Sequence, residues 1–333
     1  MKRNVVEATL LAALLFVIPL FAMGGSAGDE PEDALEPPAQ SAPEPEAADV
    51  GDDFAILDTS TGEVVRVSRL EFLRGGTAAE ISPSWEPEAL RAQAVAAYTY
   101  YARLRDEQRA SPDPALQGAD FSADLSIGEK YVTPELMKTR YGDRYDEYYA
   151  RLDEAARDVN GLVLRSGGEL IDAVFFAISG GVTESSADVW GGERSYLVPV
   201  ASPGDAYAAG YRTSASFSQE EIRAALLGIA PDAVLGGDPA AWLGELSRTA
   251  SGSVLSVTAG GVPVDGAALR SALGLRSQNF TVSFADGAFT FTVTGYGHGV
   301  GMSQTGAQYM ARQGASWEEI VRWYYPGVSI EAL

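Results

Sequence analysis

The chain has 333 residues, 46% of them apolar, enough to bury a sizeable core in one large domain or two smaller ones. A formal net charge of −22 excludes a nucleic-acid partner and electrostatic attachment to anionic lipid, because Lys and Arg are too few to offset phosphates. The absence of cysteine excludes disulfides and thiolate chemistry, and a lone histidine, His298, leaves almost no room for a zinc hydrolase site.

The chain opens with Lys2 and Arg3, then an apolar run over residues 8–23 broken by Thr9 and Pro19. Residues 1–23 therefore read as a signal anchor, or as a signal peptide cut among the small residues that follow. Either reading exports the rest, so the expected location is extracytoplasmic: membrane-anchored by one N-terminal helix, or secreted after cleavage. Residues 24–53 hold Asp, Glu, Pro and Ala and no Lys or Arg. Self-repelling charge and proline stiffness make this an acidic disordered tether. The folded part is expected over residues 54–333.

Residues 64–73 alternate well enough to suggest a strand, followed by a loop through Glu80 and Ser84. A helix is expected from about Trp85 to Gln108, with Ser84 as its cap, Pro87 in its first turn and Glu86 and Glu88 at its positive end. Leu90, Ala94, Ala97, Tyr101 and Leu104 repeat at helical spacing as its buried stripe. Residues 134–160 form a second helical region interrupted near Gly142. Residues 162–164 and 170–179 read as a hairpin through Gly167-Gly168. Residues 218–227 look helical, with Ser218 as cap and Glu221 three residues on. Short strands are expected at 245–250, 254–258, 280–284 and 288–294. A helix over 303–312 ends at Gly314, and Ser316 with Glu319 forms a capping box for a last helix that Pro326 stops. Strands and helices mix irregularly instead of alternating as βαβ units, so the expected fold class is α+β, not a doubly wound sheet.

His298 sits in Gly297-His298-Gly299-Val300-Gly301-Met302-Ser303-Gln304. Glycines on either side suit turns with positive φ or the close approach of a ligand. A glycine-rich turn whose histidine caps the following helix is the other reading.

Three segments share glycines, small residues and lone polar groups: 80–99, 179–192 and 297–306. The runs Glu80-Ile81-Ser82-Pro83, Glu88-Ala89-Leu90-Arg91-Ala92-Gln93-Ala94-Val95-Ala96-Ala97 and Ser179-Gly180-Gly181-Val182-Thr183-Glu184-Ser185-Ser186 resemble the stage II sporulation protein D family. Val189-Trp190-Gly191-Gly192, residues 297–304 and Tyr324-Tyr325-Pro326-Gly327-Val328 extend the resemblance over nearly all of the chain after the tether.

The resemblance implies a glycan-binding cleft and a lytic transglycosylase that cuts peptidoglycan strands during engulfment of the forespore. The implied substrate is strands stripped of stem peptides by a partner amidase, and the implied neighbours are membrane engulfment proteins. Glu80 is the implied catalytic acid. The chemistry suits one carboxylate. Ordinary glycosidases need two, whereas here the muramic acid's own C6 hydroxyl can attack C1, and proximity replaces an activated water. Such an acid must be protonated near neutral pH, which burial favours.

Gln93, Ser179, Thr183, His298, Ser303 and Gln304 are then candidates for hydrogen bonds to the sugars. Trp85, Tyr98 and Trp190 are candidates for stacking on sugar faces. Glu184 and Glu86 stand as alternative carboxylates. The family usually has Arg near Tyr98 and His-Ser where this chain has Phe176-Ala177. Some relatives bind zinc in the stretch matching residues 121–133, which here offers no such ligands, so neither metal nor cofactor is expected. The alternatives are a catalytically weak glycan-binding activator of an amidase, and a scaffold for a membrane complex.

Overall fold

A computed structural model describes residues 53–333. The signal anchor or signal peptide expected over residues 1–23 and the tether over 24–53 lie, Asp53 apart, outside the described residues. Among the described residues no helix is long and apolar enough to cross a membrane.

Strand β1 (Phe54–Asp58) is buried along its length and pairs antiparallel with β2 (Val64–Val67). The strand expected over residues 64–73 stops at Val67. Ser68 instead caps helix α1 (Arg69–Glu80): its hydroxyl accepts from the Glu71 N–H, and the Glu71 carboxylate accepts from the Ser68 N–H at 2.8 Å. This capping box is written in the sequence as Ser68-Arg69-Leu70-Glu71. The helix it starts runs to Glu80, so Glu80 is the last residue of a helix, not a loop residue.

Helix α2 (Pro87–Ala110) starts two residues later than expected, with Glu86 at the cap position and no side-chain cap. Ser84 does not cap it, because its hydroxyl pairs with Ser82 at 2.8 Å. The expected stripe is buried, apart from Leu104, which is partly so. So are Ala92, Gln93, Val95, Ala96, Tyr98 and Thr99, so α2 is enclosed on most sides. Its alanines allow this by letting neighbours approach closely. Strand β3 (Phe121–Ala123) then adds parallel to β1.

The charged region is helical as expected: α3 (Pro134–Tyr141) and α4 (Tyr145–Asp158) are separated at Gly142. Strand β4 (Leu162–Ser166) turns at Gly167-Gly168 into β5 (Glu169–Leu170). The second arm is shorter than the expected 170–179. Phe175–Phe176, strand β6, leaves to pair parallel with a distant segment, residues 302–303. A short helix, α5 (Ser186–Trp190), follows.

Residues 212–294 build a second apolar core. Strand β7 (Arg212–Ser218) leads into α6 (Gln219–Ile229), capped by the expected Ser218–Glu221 box. Strands β8 (Leu243–Arg248), β9 (Val254–Ala259) and β10 (Val262–Asp265) form one antiparallel sheet, and α7 (Gly266–Ala272) follows. Strands β11 (Phe280–Ala285) and β12 (Ala288–Thr294) pair with each other and with β7. Phe280, Phe289, Phe291, Ile222, Leu226 and Val257 fill this core.

Strand β13 (Met302–Ser303) returns to β6, and α8 (Gln304–Arg312) starts from the Ser303 cap. Helix α9 (Trp317–Tyr324) carries the expected Ser316–Glu319 box, and β14 (Ser329–Ala332) closes on β4. Small sheets and packed helices without a βαβ series make the fold α+β, as expected.

Candidate functional site

Glu80 ends α1, where the unpaired carbonyls of the last turn disfavour a negative charge. The residue is half-buried. Burial pushes its carboxyl up to about 7, against a hydrogen bond from Gln304 and the positive charge of Lys130. Helix α8 delivers Gln304 with its first residue, and Gln304 Nε2 donates to Gln93 Oε1 of α2 at 3.4 Å. So Glu80, Gln93 and Gln304, three residues expected at the site, do converge from three helices.

Two tyrosines of α2 lie within electrostatic reach of Glu80. Burial pushes Tyr100 up to about 12 and Tyr101 well above its ordinary value, so both keep their protons. Lys130 holds a left-handed backbone, φ 62°, unusual for a long side chain. Its Nζ donates to the Ser122 carbonyl at 2.7 Å. Its own carbonyl lies where a side chain on Gly76, one turn before Glu80, would touch it.

Other expected contacts serve the fold. Tyr98 is wholly buried and meets Phe54 edge-on at 5.9 Å between centroids, so it offers no face to a sugar. Thr183 is also wholly buried, and its hydroxyl accepts from the Val200 N–H at 2.9 Å. Ser179 and Ser303 are buried against Asp205. That carboxylate accepts from the Ser179 N–H at 2.9 Å, the Ser303 hydroxyl at 2.8 Å and the Thr305 hydroxyl. These bonds lock the 179 loop to the start of α8, and the Ser179 hydroxyl accepts from the Gly181 N–H at 3.0 Å.

His298 is held at both ring nitrogens. Nδ1 accepts from the Val300 N–H at 3.2 Å, which puts the proton on Nε2, and Nε2 donates to the Phe175 carbonyl at 3.1 Å. Burial and the nearby Arg270 charge lower its pKa to about 4. It is therefore a neutral strut, not a proton shuttle or a helix cap. Gly297, Gly299 and Gly301 all have positive φ, as their spacing suggested. The close approach they permit is by the chain itself: a Cβ on Gly301 would meet the Val174 carbonyl oxygen at 2.1 Å.

Because the folded state lowers this histidine's pKa from an ordinary 6.5 to about 4, its contribution to stability is complete above 6.5 and lost as pH falls toward 4. Thermal midpoints between pH 7 and pH 4 should therefore fall more steeply for the wild type than for His298→Gln.

Trp190 packs on the His298 ring at 5.2 Å and keeps 47% of its surface exposed, so it can offer a face to a ligand. Trp85 is half-buried against Ile81, Leu90 and Ala155. The alternative carboxylates are engaged elsewhere. Glu184 is buried and accepts from the Thr249 hydroxyl at 3.0 Å, and Glu86 lies 3.7 Å from Arg312 near the surface. Among the described residues, no three His, Cys, Asp or Glu side chains gather as a metal would need.

Asp205, Lys130 and Tyr101 were not among the expected site residues. Asp205 follows Ser202-Pro203-Gly204 in an ordinary turn, and only the tertiary fold reveals its three donors.

The family model described as "Stage II sporulation protein" matches residues 58–165. Stage II sporulation protein D of Bacillus amyloliquefaciens is 33% identical over 83% of this chain and 77% of its own length. Its namesake in Bacillus subtilis is 29% identical over 99% of this chain and 96% of its own length. An amidase enhancer of Bacillus subtilis is 25% identical over 78% of this chain and 40% of its own length.

Proposed function

The chain belongs to the stage II sporulation protein D family, and from that premise we propose that it is a peptidoglycan lytic transglycosylase acting in sporulation. The observation that carries this reading is Glu80: a carboxyl at about 7, on a helix end, facing Gln304. Near neutral pH such a group is about half protonated, so it serves as acid and then as base.

In the proposed reaction, the Glu80 O–H gives its proton to the oxygen bridging N-acetylmuramic acid and N-acetylglucosamine. The C1–O bond breaks, and N-acetylglucosamine leaves with a free 4-hydroxyl. The Glu80 carboxylate takes the proton of the muramic C6 hydroxyl, and that oxygen bonds to C1 as a 1,6-anhydro ring. Glu80 ends protonated, and no water is consumed. The Gln304 N–H and the Lys130 charge stabilise the carboxylate between the two proton transfers. The place of action is outside the cytoplasm, where peptidoglycan lies, on strands stripped of their peptides by a partner amidase and beside membrane engulfment proteins. The N-terminal segment is the export signal or anchor.

The likeness to an amidase enhancer favours a second reading, in which the protein binds glycan and stimulates a cell-wall amidase. Incubation of the purified protein with peptide-free glycan strands separates the two. Release of soluble fragments by the protein alone supports the enzyme. No release, together with faster peptide removal by an added amidase on intact peptidoglycan, favours the activator.

A further inference from the structure

The seam between α2 and α8 is polar where packed helices are usually apolar. Gln93 is 1% exposed, and Gln304 and Gln308 are 5% and 7% exposed. Gln308 is bonded separately, its Oε1 accepting from the Glu86 N–H at 2.9 Å, and its Nε2 is buried without a hydrogen-bond partner. Gln304 connects Gln93 to Glu80. The Gln93 Nε2 is buried and meets no hydrogen-bond partner. Burying an amide donor unpaired is unfavourable. An apolar side chain would fill the same space without that cost.

The two ends of a glutamine amide have one shape and opposite hydrogen-bonding sense. Gln304 can therefore turn either end toward Glu80. With its N–H there, the near carboxyl oxygen must be an acceptor, so the acid proton sits on the other oxygen. With its C=O there, the Glu80 proton is drawn into a bond with Gln304 and withheld from a substrate. In the structure the Gln93 amide places its Oε1 toward Gln304, and an amide oxygen accepts only an N–H from that side chain, so in this orientation Gln93 selects the first arrangement.

We propose that Gln93 is a positioning residue: by accepting from Gln304 Nε2 it turns the Gln304 N–H toward Glu80 and leaves the far carboxyl oxygen to carry the proton. This rests on the reading of Glu80 as the acid. The other groups that bear on Glu80 are Lys130, and Tyr100 and Tyr101 from α2. Asp172, Arg103, Glu107 and Glu129 act on those tyrosines. None of these changes when an amide is replaced, so a shift in Glu80 titration reports on the glutamines.

The test is a ¹³C NMR titration of the full chain labelled at glutamate carboxyls, with the Glu80 signal assigned by its loss in Glu80→Gln. Wild-type Glu80 should titrate at about 7. Gln304→Leu removes a donor to the anion and should raise this to about 8, the size expected for one hydrogen bond to a charged group. Gln93→Leu should raise it as well, although it leaves Gln304 in place. The double variant should go no higher than Gln304→Leu alone. Gln93→Met repeats the test with a longer side chain should Gln93→Leu fold poorly. A Glu80 titration unmoved by both Gln93 variants, or effects that add in the double variant, would overturn the inference. Because the readout is titration, it separates from the enzyme reading. Cleavage retained by Glu80→Gln would sink that reading, whereas a dead Glu80→Gln with unlinked glutamines would sink only this inference.

Discussion

Glu80→Gln should lower strand cleavage by about 10²–10⁴-fold, the range associated with a general acid or base, while glycan binding stays within about twofold. The amide keeps the shape of the carboxyl and still meets the helix end, but it has no acidic proton to give. The same substitution should make the fold more stable at alkaline pH. The folded state raises the Glu80 pKa from an ordinary 4.5 to about 7. Stability from this group is therefore complete below 4.5 and lost as pH rises through 7. Above that window the substitution removes a strained anion, a gain of up to about 3 kcal/mol. Urea unfolding at pH 5 and pH 8 checks it: the variant should gain on the wild type mostly at the higher pH. Equal differences at both would mean that Glu80 titrates as an ordinary surface carboxylate.

Asp205→Ala should cost about 3–5 kcal/mol, because it leaves the Ser179 N–H and the Ser303 and Thr305 hydroxyls facing a vacated, buried space. That is a large share of the stability of an ordinary domain. Asp205→Asn, which keeps one acceptor oxygen and the shape, should cost less. The effect should reach the chemistry too. Asp205 holds Ser303, Ser303 caps α8, and the next residue is Gln304, which faces Glu80. Molecules of Asp205→Ala that remain folded at low temperature should thus cleave poorly. Denaturant midpoints for the three proteins, with cleavage measured well below each midpoint, test both halves of this prediction.

Local signals carried much of the architecture. The boxes at Ser218–Glu221 and Ser316–Glu319 and the strands near residues 254, 280 and 288 are legible because backbone chemistry and period-two alternation write them into short windows. The box at Ser68–Glu71 is equally local. It was masked by alternation over residues 64–73, of which β2 uses only the first four.

Of the candidate site residues, Glu80, Gln93 and Gln304 come together in space, and what singles them out in the sequence is the resemblance of their motifs to a family. The role of the small polar residues is not legible in the sequence. A serine or threonine beside glycines looks the same whether it meets a sugar or its own backbone. Ser179, Thr183 and Ser303 meet the fold's own atoms. Tyr98 differs for another reason: it is a candidate for stacking by residue type alone, and α2 is packed against neighbours on most sides, which leaves that ring wholly buried.

The most direct measurement is the mass of the ends produced when the protein cuts peptide-free glycan strands in ¹⁸O-labelled water. Closure of C1 by the substrate's own C6 oxygen predicts 1,6-anhydro-muramic ends, lighter than a reducing end by one water and free of ¹⁸O. Reducing ends that carry ¹⁸O would contradict the account, because they require an activated water that the single carboxylate mechanism does not use.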